Sequence, residues 1–86
     1  MIDKVWERII KCEGEVFKQI RGKEFTYSVK GISVFLNATE RSISKSEFAN
    51  ALKLVPLENT VPLHNFQAPS YLFAIVMDGR IRKNDW

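Results

Sequence analysis

The chain has 86 residues, 45% apolar and 27% charged, the proportions of an ordinary globular protein, which excludes a disordered tail, a collagen-like rod and a disulfide scaffold. One domain fits this length and two do not. Thirteen Lys and Arg against ten Asp and Glu leave a net charge of +3, with eight basic and six acidic side chains in residues 1–43 and five and four in residues 44–86, so neither half is strongly polarised.

Residues 2–12 carry Ile2, Val5, Trp6, Ile9 and Ile10 at helical spacing, with Asp3, Lys4, Glu7, Arg8 and Lys11 on the other side. That pattern predicts an amphipathic helix, stopped at Gly14. Three strand-like runs follow. Glu15–Ile20 is the first, and Arg21-Gly22-Lys23 turns the chain. Glu24–Val29 is the second, alternating Phe25, Tyr27 and Val29 with Thr26 and Ser28. Lys30-Gly31 turns again, and Ile32–Asn37 sets Ile32, Val34 and Leu36 opposite Ser33 and Phe35. Period-two alternation with short glycine turns predicts an antiparallel meander.

Residues 44–54 read as a second helix. Ser44 and Glu47 have capping-box spacing, Phe48, Ala51, Leu52 and Val55 form its apolar stripe, and Pro56 ends it. Residues 56–69 hold all three prolines and form a long loop, with room for a short strand, pinned by Leu57, Val61, Leu63 and Phe66. Residues 70–78 are apolar on every side, which suits a buried helix or a buried central strand; Ser70 as an N-cap and Gly79 as a stop favour the helix. Residues 80–86 are a polar tail. The expected architecture is α+β, a three-stranded antiparallel meander packed against two or three helices, in a single globular domain over 1–86.

Chemistry is sparse. One His and one Cys, with no metal-ligand spacing, leave no zinc site, and no cofactor is expected. His64 has no partner nucleophile at a readable spacing. Cys12, at a helix C-terminus, lacks what lowers a thiol pKa and reads as a small, semi-buried hydrophobe. Glu13 with Glu15, and Asp78 with Asp85, have no geometry that spacing fixes, and solvation is the ordinary fate of each. No phosphate loop, dinucleotide fingerprint or nucleophile elbow is present. A domain of this size buries only about 60–65% of its unfolded surface, which leaves little apolar material for a deep, dry cleft. Catalysis is not expected.

Charge offers more. Lys18, Arg21, Lys23 and Lys30 flank the two expected turns, interleaved with Phe17, Phe25 and Tyr27. Cations take phosphates and rings take bases, so a basic hairpin with aromatics can dock nucleic acid. The same residues on turns and edge strands also serve solubility and resist aggregation. Arg41 and Lys45, at the start of the second helix, extend the candidate patch. A further cluster is Arg80, Arg82 and Lys83. The expected function is a non-catalytic binding module that contacts nucleic acid through Lys18, Arg21, Lys23, Lys30, Arg41 and Lys45. The rival is a protein-interaction module or homodimer, using a strand edge or the loop around Leu63 and Phe66; a small enzyme centred on His64 ranks third. No membrane helix and no secretory signal are legible, so a cytoplasmic setting is expected.

The stretch Arg41-Ser42-Ile43-Ser44-Lys45-Ser46-Glu47-Phe48-Ala49-Asn50-Ala51-Leu52, followed by Pro69-Ser70-Tyr71-Leu72-Phe73-Ala74-Ile75-Val76-Met77-Asp78-Gly79-Arg80-Ile81, resembles a family of small uncharacterised bacterial and mobile-element proteins. The resemblance spans about half the chain. Members carry Gly before the Pro-Ser-Tyr, where this chain has Ala68. No established activity attaches to the pattern, so it implies no site residue. It implies only that the Ser-Tyr segment and the Arg80-Ile81 exit belong together, and an Asp78–Arg80 salt bridge across Gly79 would close that exit.

Overall fold

The helical period of the N-terminal segment buries Val5, Trp6 and Ile9 of helix α1 (Ile2–Lys11), while Ile10, at the margin of the stripe, stays 46% exposed. These positions come from a computed structural model describing the whole chain, Met1–Trp86. Gly14, at φ +82°, turns the chain away from α1 and donates its amide to the Tyr27 carbonyl at 3.0 Å. The amide of Glu13 bonds to Ile10, so the Ile9 carbonyl lacks its usual helical donor. The buried Tyr27 hydroxyl supplies one instead, 2.6 Å away. Burial pushes the Tyr27 pKa well up, which keeps that hydroxyl a donor.

The fold is α+β, with a three-stranded antiparallel meander covered by helices, but its strands are drawn from different residues than alternation suggests. β1 (Phe17–Lys18) and β2 (Glu24–Phe25) form a separate two-stranded hairpin, with Phe17 opposite Phe25 and Lys18 opposite Glu24. The meander is β3 (Tyr27–Lys30), β4 (Ser33–Leu36) and β5 (Ser42–Ser44), with β4 central. The expected second strand is therefore cut in two at Thr26. Asn37 makes the cut: its Oδ1 accepts from the Thr26 amide at 2.7 Å, and its own amide donates to the Thr26 carbonyl at 3.1 Å. With both peptide groups claimed, Thr26 joins neither ladder. Side-chain alternation runs through the cut, so Phe25 and Tyr27 both point into the core.

The third strand is the short segment just before the second helix. Its only apolar residue, Ile43, lies opposite Val34, and both are fully buried. One inward face of the sheet thus carries Tyr27, Val34, Leu36 and Ile43. Alternation leaves Ser28, Lys30, Ser33, Phe35, Ser42 and Ser44 on the other face.

Helix α2 (Lys45–Ala51) starts at Ser44, whose Oγ accepts from the Glu47 amide at 3.2 Å; the reciprocal half of the capping box does not form. The helix closes three residues before the expected end, tightening into i→i−3 bonds from Lys53 and Leu54 as it nears Pro56. Leu57 and Leu63 pin the proline-rich loop, which contains a single 3-10 turn (Val61–Leu63) and no strand; Val61 is 69% exposed. Helix α3 (Pro69–Val76) is buried through Leu72, Ala74, Ile75 and Val76. Its N-cap is Ala68, with Pro69 in the first turn, and not Ser70. Gly79 is no stop: Asp78 caps a further short helix, α4 (Gly79–Arg82), by accepting from the Arg80 amide at 2.8 Å. All 21 buried residues are apolar and form one cluster.

Removing the Tyr27 hydroxyl leaves the Ile9 carbonyl buried and unpaired. Tyr27→Phe is therefore expected to cost about 2 kcal/mol, or roughly 10 °C in Tm for a domain of this size. A thermal melt of the variant checks it.

Candidate functional site

The β1–β2 turn is held by two backbone bonds, Gln19 amide to Lys23 carbonyl at 2.9 Å and Gly22 amide to Gln19 carbonyl at 2.8 Å. Gly22 takes φ +89°, which a side chain rarely adopts. These bonds fix Arg21 and Lys23 at the tip. The base of the hairpin is anchored by aromatic packing, since Phe17 meets Tyr27 at 5.2 Å between ring centroids and Phe25 meets Tyr71 edge-on at 4.9 Å. The second contact brings the hairpin alongside the start of α3. Arg41 enters from the third side, just before β5.

Two adjoining grooves open between these elements. One, of about 540 Å³, is lined by Gln19, Ile20, Arg21, Asn59, Thr60 and Ser70. The other, of about 380 Å³, shares Gln19 and Ser70 and adds Lys23, Thr39, Arg41 and Tyr71. No carboxylate lines either groove. The four salt bridges of the molecule involve Arg8, Lys45 and Arg80, so Arg21, Lys23 and Arg41 are unpaired as well as exposed. Three like charges on a polar wall raise the local potential, and they hold it over a Debye length of about 8 Å at physiological salt.

The other expected contacts lie elsewhere. Lys18 stands cross-strand from Glu24, which offsets its charge. Lys30 and Lys45 lie at the far end of the meander, beside the β3–β4 turn, where the Lys45 amide donates to Ile32. The Lys45 ammonium is bound to Asp3 at 3.2 Å. Four residue steps of extended chain separate Arg41 from Lys45, roughly 13 Å. The six residues therefore divide into a grooved cluster, Arg21, Lys23 and Arg41, and a distant pair with Lys18 between charges of its own. Gln19, Thr39, Asn59, Thr60 and Ser70 complete the groove. Nothing in the sequence marks them beyond being polar residues in turns.

Two members of the C-terminal basic cluster, Arg80 and Arg82, are structural, and Lys83 is exposed. The Arg80 guanidinium forks onto both carboxylate oxygens of Asp78 at 2.9 Å, reaches Glu15 at 3.0 Å and the Val16 carbonyl at 2.8 Å, and stacks 4.0 Å from the Phe17 ring centroid. The expected Asp78–Arg80 bridge is present and ties α4 to the hairpin. Arg82 donates to the Trp86 carbonyl. Asp85 is held by Arg8 at 2.6 Å. Glu13 accepts from the Val29 amide at 2.6 Å on the outer edge of β3. The acidic pairs singled out by sequence are thus bound to backbone or arginine and not simply solvated.

Burial alone would raise the Asp78 carboxyl pKa; the hydrogen bonds from Arg80 outweigh it and hold the carboxyl below its ordinary value of 3.8. The unfolded chain thus takes up this proton at a higher pH than the folded one. Stability from the pair is full above pH 3.8 and drains away as pH falls through the lowered folded value. The stability gap between the protein and Asp78→Asn is expected to close over that acid range, read from urea midpoints at successive pH. Burial, then Glu15, pushes the Cys12 thiol up, and the side chain is buried as a small hydrophobe. His64 is exposed, with Nδ1 2.9 Å from the Val61 carbonyl, and lines none of the grooves.

No family model, curated protein or solved structure matches the chain. No helix is long and apolar enough to cross a membrane.

Proposed function

We propose that this chain is a non-catalytic binding module that holds the phosphate backbone of a nucleic acid in the groove between the β1–β2 turn and the start of α3. One observation carries the reading: Arg21 lines one of two adjoining grooves and Lys23 and Arg41 line the other, all three outside any salt bridge and with no carboxylate lining either groove. A cation held apart from counter-charge keeps its capacity for phosphate. The amide and hydroxyl groups of Gln19, Thr60 and Ser70 add hydrogen-bond donors to phosphate and sugar oxygens. Contact with a protein or a second copy is the alternative, favoured by the exposure of Val61 in the proline-rich loop. On the β3 side the strand-edge version has less to offer, since Glu13 and Gly14 already occupy that edge, which leaves β5 as the edge it would use.

The test is binding of a labelled oligonucleotide over a salt series. Affinity is expected to fall log-linearly with a slope near −2 to −3, about 0.7–0.9 for each of three neutralised phosphates. Absence of binding at low salt, or binding indifferent to salt, overturns the reading. Sedimentation across a wide concentration range reads the alternative, which predicts a rising mass.

A further inference from the structure

Phe35 is the anomaly of the outer sheet face. It sits at the centre of the middle strand, 42% exposed, among Ser28, Ser33, Ser42, Ser44 and Lys30. Its partners directly across the two ladders are Ser28 and Ser42. Both are short, which leaves the ring partly open to solvent, and both bring a hydroxyl to its side of the sheet. The Lys30 ammonium lies 6.0 Å from the ring centroid, at the outer limit of a cation–π contact. No outward position of these strands is acidic.

We infer that Phe35 is a stacking platform for one unpaired base, so that the nucleic acid taken by this module is single-stranded. The inference rests on the phosphate-groove reading above and specifies its ligand. Continuity supports it. Arg41, which lines the groove, is bonded to Ser42, and Ser42 is directly opposite Phe35. One Cα step of 3.8 Å and one cross-strand step of about 5 Å put the two backbones within roughly 9 Å, the scale of a single nucleotide. Alternation turns Arg41 to the α3 side of the sheet and Ser42 to the Phe35 side. A strand with a phosphate at Arg41 therefore passes round the edge strand β5 to lay its next base on Phe35, with the Ser28 and Ser42 hydroxyls at the base edge and Lys30 at the following phosphate. A duplex cannot do this, because its bases stack on each other and show no free face. Stacking on an aromatic tolerates any base, so little sequence preference is expected.

The experiment measures anisotropy of labelled oligothymidine, and of a duplex of equal length, with the intact chain. The single strand is expected to bind more tightly than the duplex. Phe35→Ala should weaken single-strand binding about tenfold and leave the salt slope unchanged, because the base is lost and the phosphates are kept. Phe35→Leu keeps apolar bulk without a ring and should lose as much, while Phe35→Trp should bind at least as well; this pair decides the matter if the alanine variant folds poorly. Equal duplex binding, or single-strand affinity indifferent to Phe35→Leu, overturns the platform and leaves the groove reading standing. No binding of either nucleic acid by the unaltered chain overturns both. A change in sedimenting mass with Phe35→Ala, without a change in oligothymidine affinity, assigns the face to a second copy and also overturns the platform.

Discussion

Replacing Phe17 by alanine is expected to destabilise the domain by about 4 kcal/mol. Total stability for a chain of this length is roughly 4–13 kcal/mol, so the variant will sit close to unfolding. Phe17 is 1% exposed and touches three kinds of partner at once. Its ring meets Phe25 at 6.0 Å and Tyr27 at 5.2 Å, joining the hairpin to the meander across the Thr26 break. Its other face carries the Arg80 guanidinium. Truncation opens a cavity and removes the surface on which that cation rests, while Asp78 and Glu15 still hold the cation in place. Phe17→Leu fills most of the volume and should cost less than half as much. Urea unfolding measures both. A loss below about 2 kcal/mol for the alanine variant would mean that the hairpin does not depend on this ring.

Reversing Arg21 and Lys23 together, as Arg21→Glu with Lys23→Glu, is expected to lower oligonucleotide affinity about a hundredfold at low salt and flatten the salt slope by about 2. Both side chains are exposed and unpaired. The fold should therefore tolerate the change, and the unfolding midpoint should stay where it was. The turn itself rests on the Gln19, Gly22 and Lys23 backbone, which the substitutions leave alone. The matching control is Lys45→Glu, whose parent ammonium is bound to Asp3 at the far end of the sheet; it should weaken binding far less. Equal losses for the two variants would place the contact outside the groove.

Much of this architecture is readable in local pattern. The stripe of α1 predicts Val5, Trp6 and Ile9 as core, and alternation predicts the buried faces of Phe25, Tyr27, Val34 and Leu36. Spacing also anticipates the Ser44 cap and the bridge from Asp78 to Arg80. The misses share a cause: the deciding contact lies far along the chain. Nothing near Thr26 announces that Asn37 will claim both its peptide groups. Ser42-Ile43-Ser44 is too short for alternation to register, and becomes a strand only because Val34 offers Ile43 a partner. Asp78 and Gly79 read as a helix exit until the Arg80 side chain folds back over them. The candidate site follows the same division. Arg21 and Lys23 stand out as a charged turn, whereas Ser70, Asn59 and Thr60 join them only through tertiary folding.

Ala68 takes φ +47° and ψ +58°, a left-handed geometry costing an alanine roughly 1–2 kcal/mol, and the residue is 3% exposed. The kink it makes aims the Pro-Ser-Tyr sequence back toward the hairpin tip. This position thus carries a size limit: glycine relieves the torsional penalty but forfeits a packed carbon, and anything with a branched β-carbon does neither. Among homologous chains, a swap between the two smallest amino acids here is the signature of a preserved groove wall, and a valine or isoleucine would mark a chain whose wall has been rebuilt.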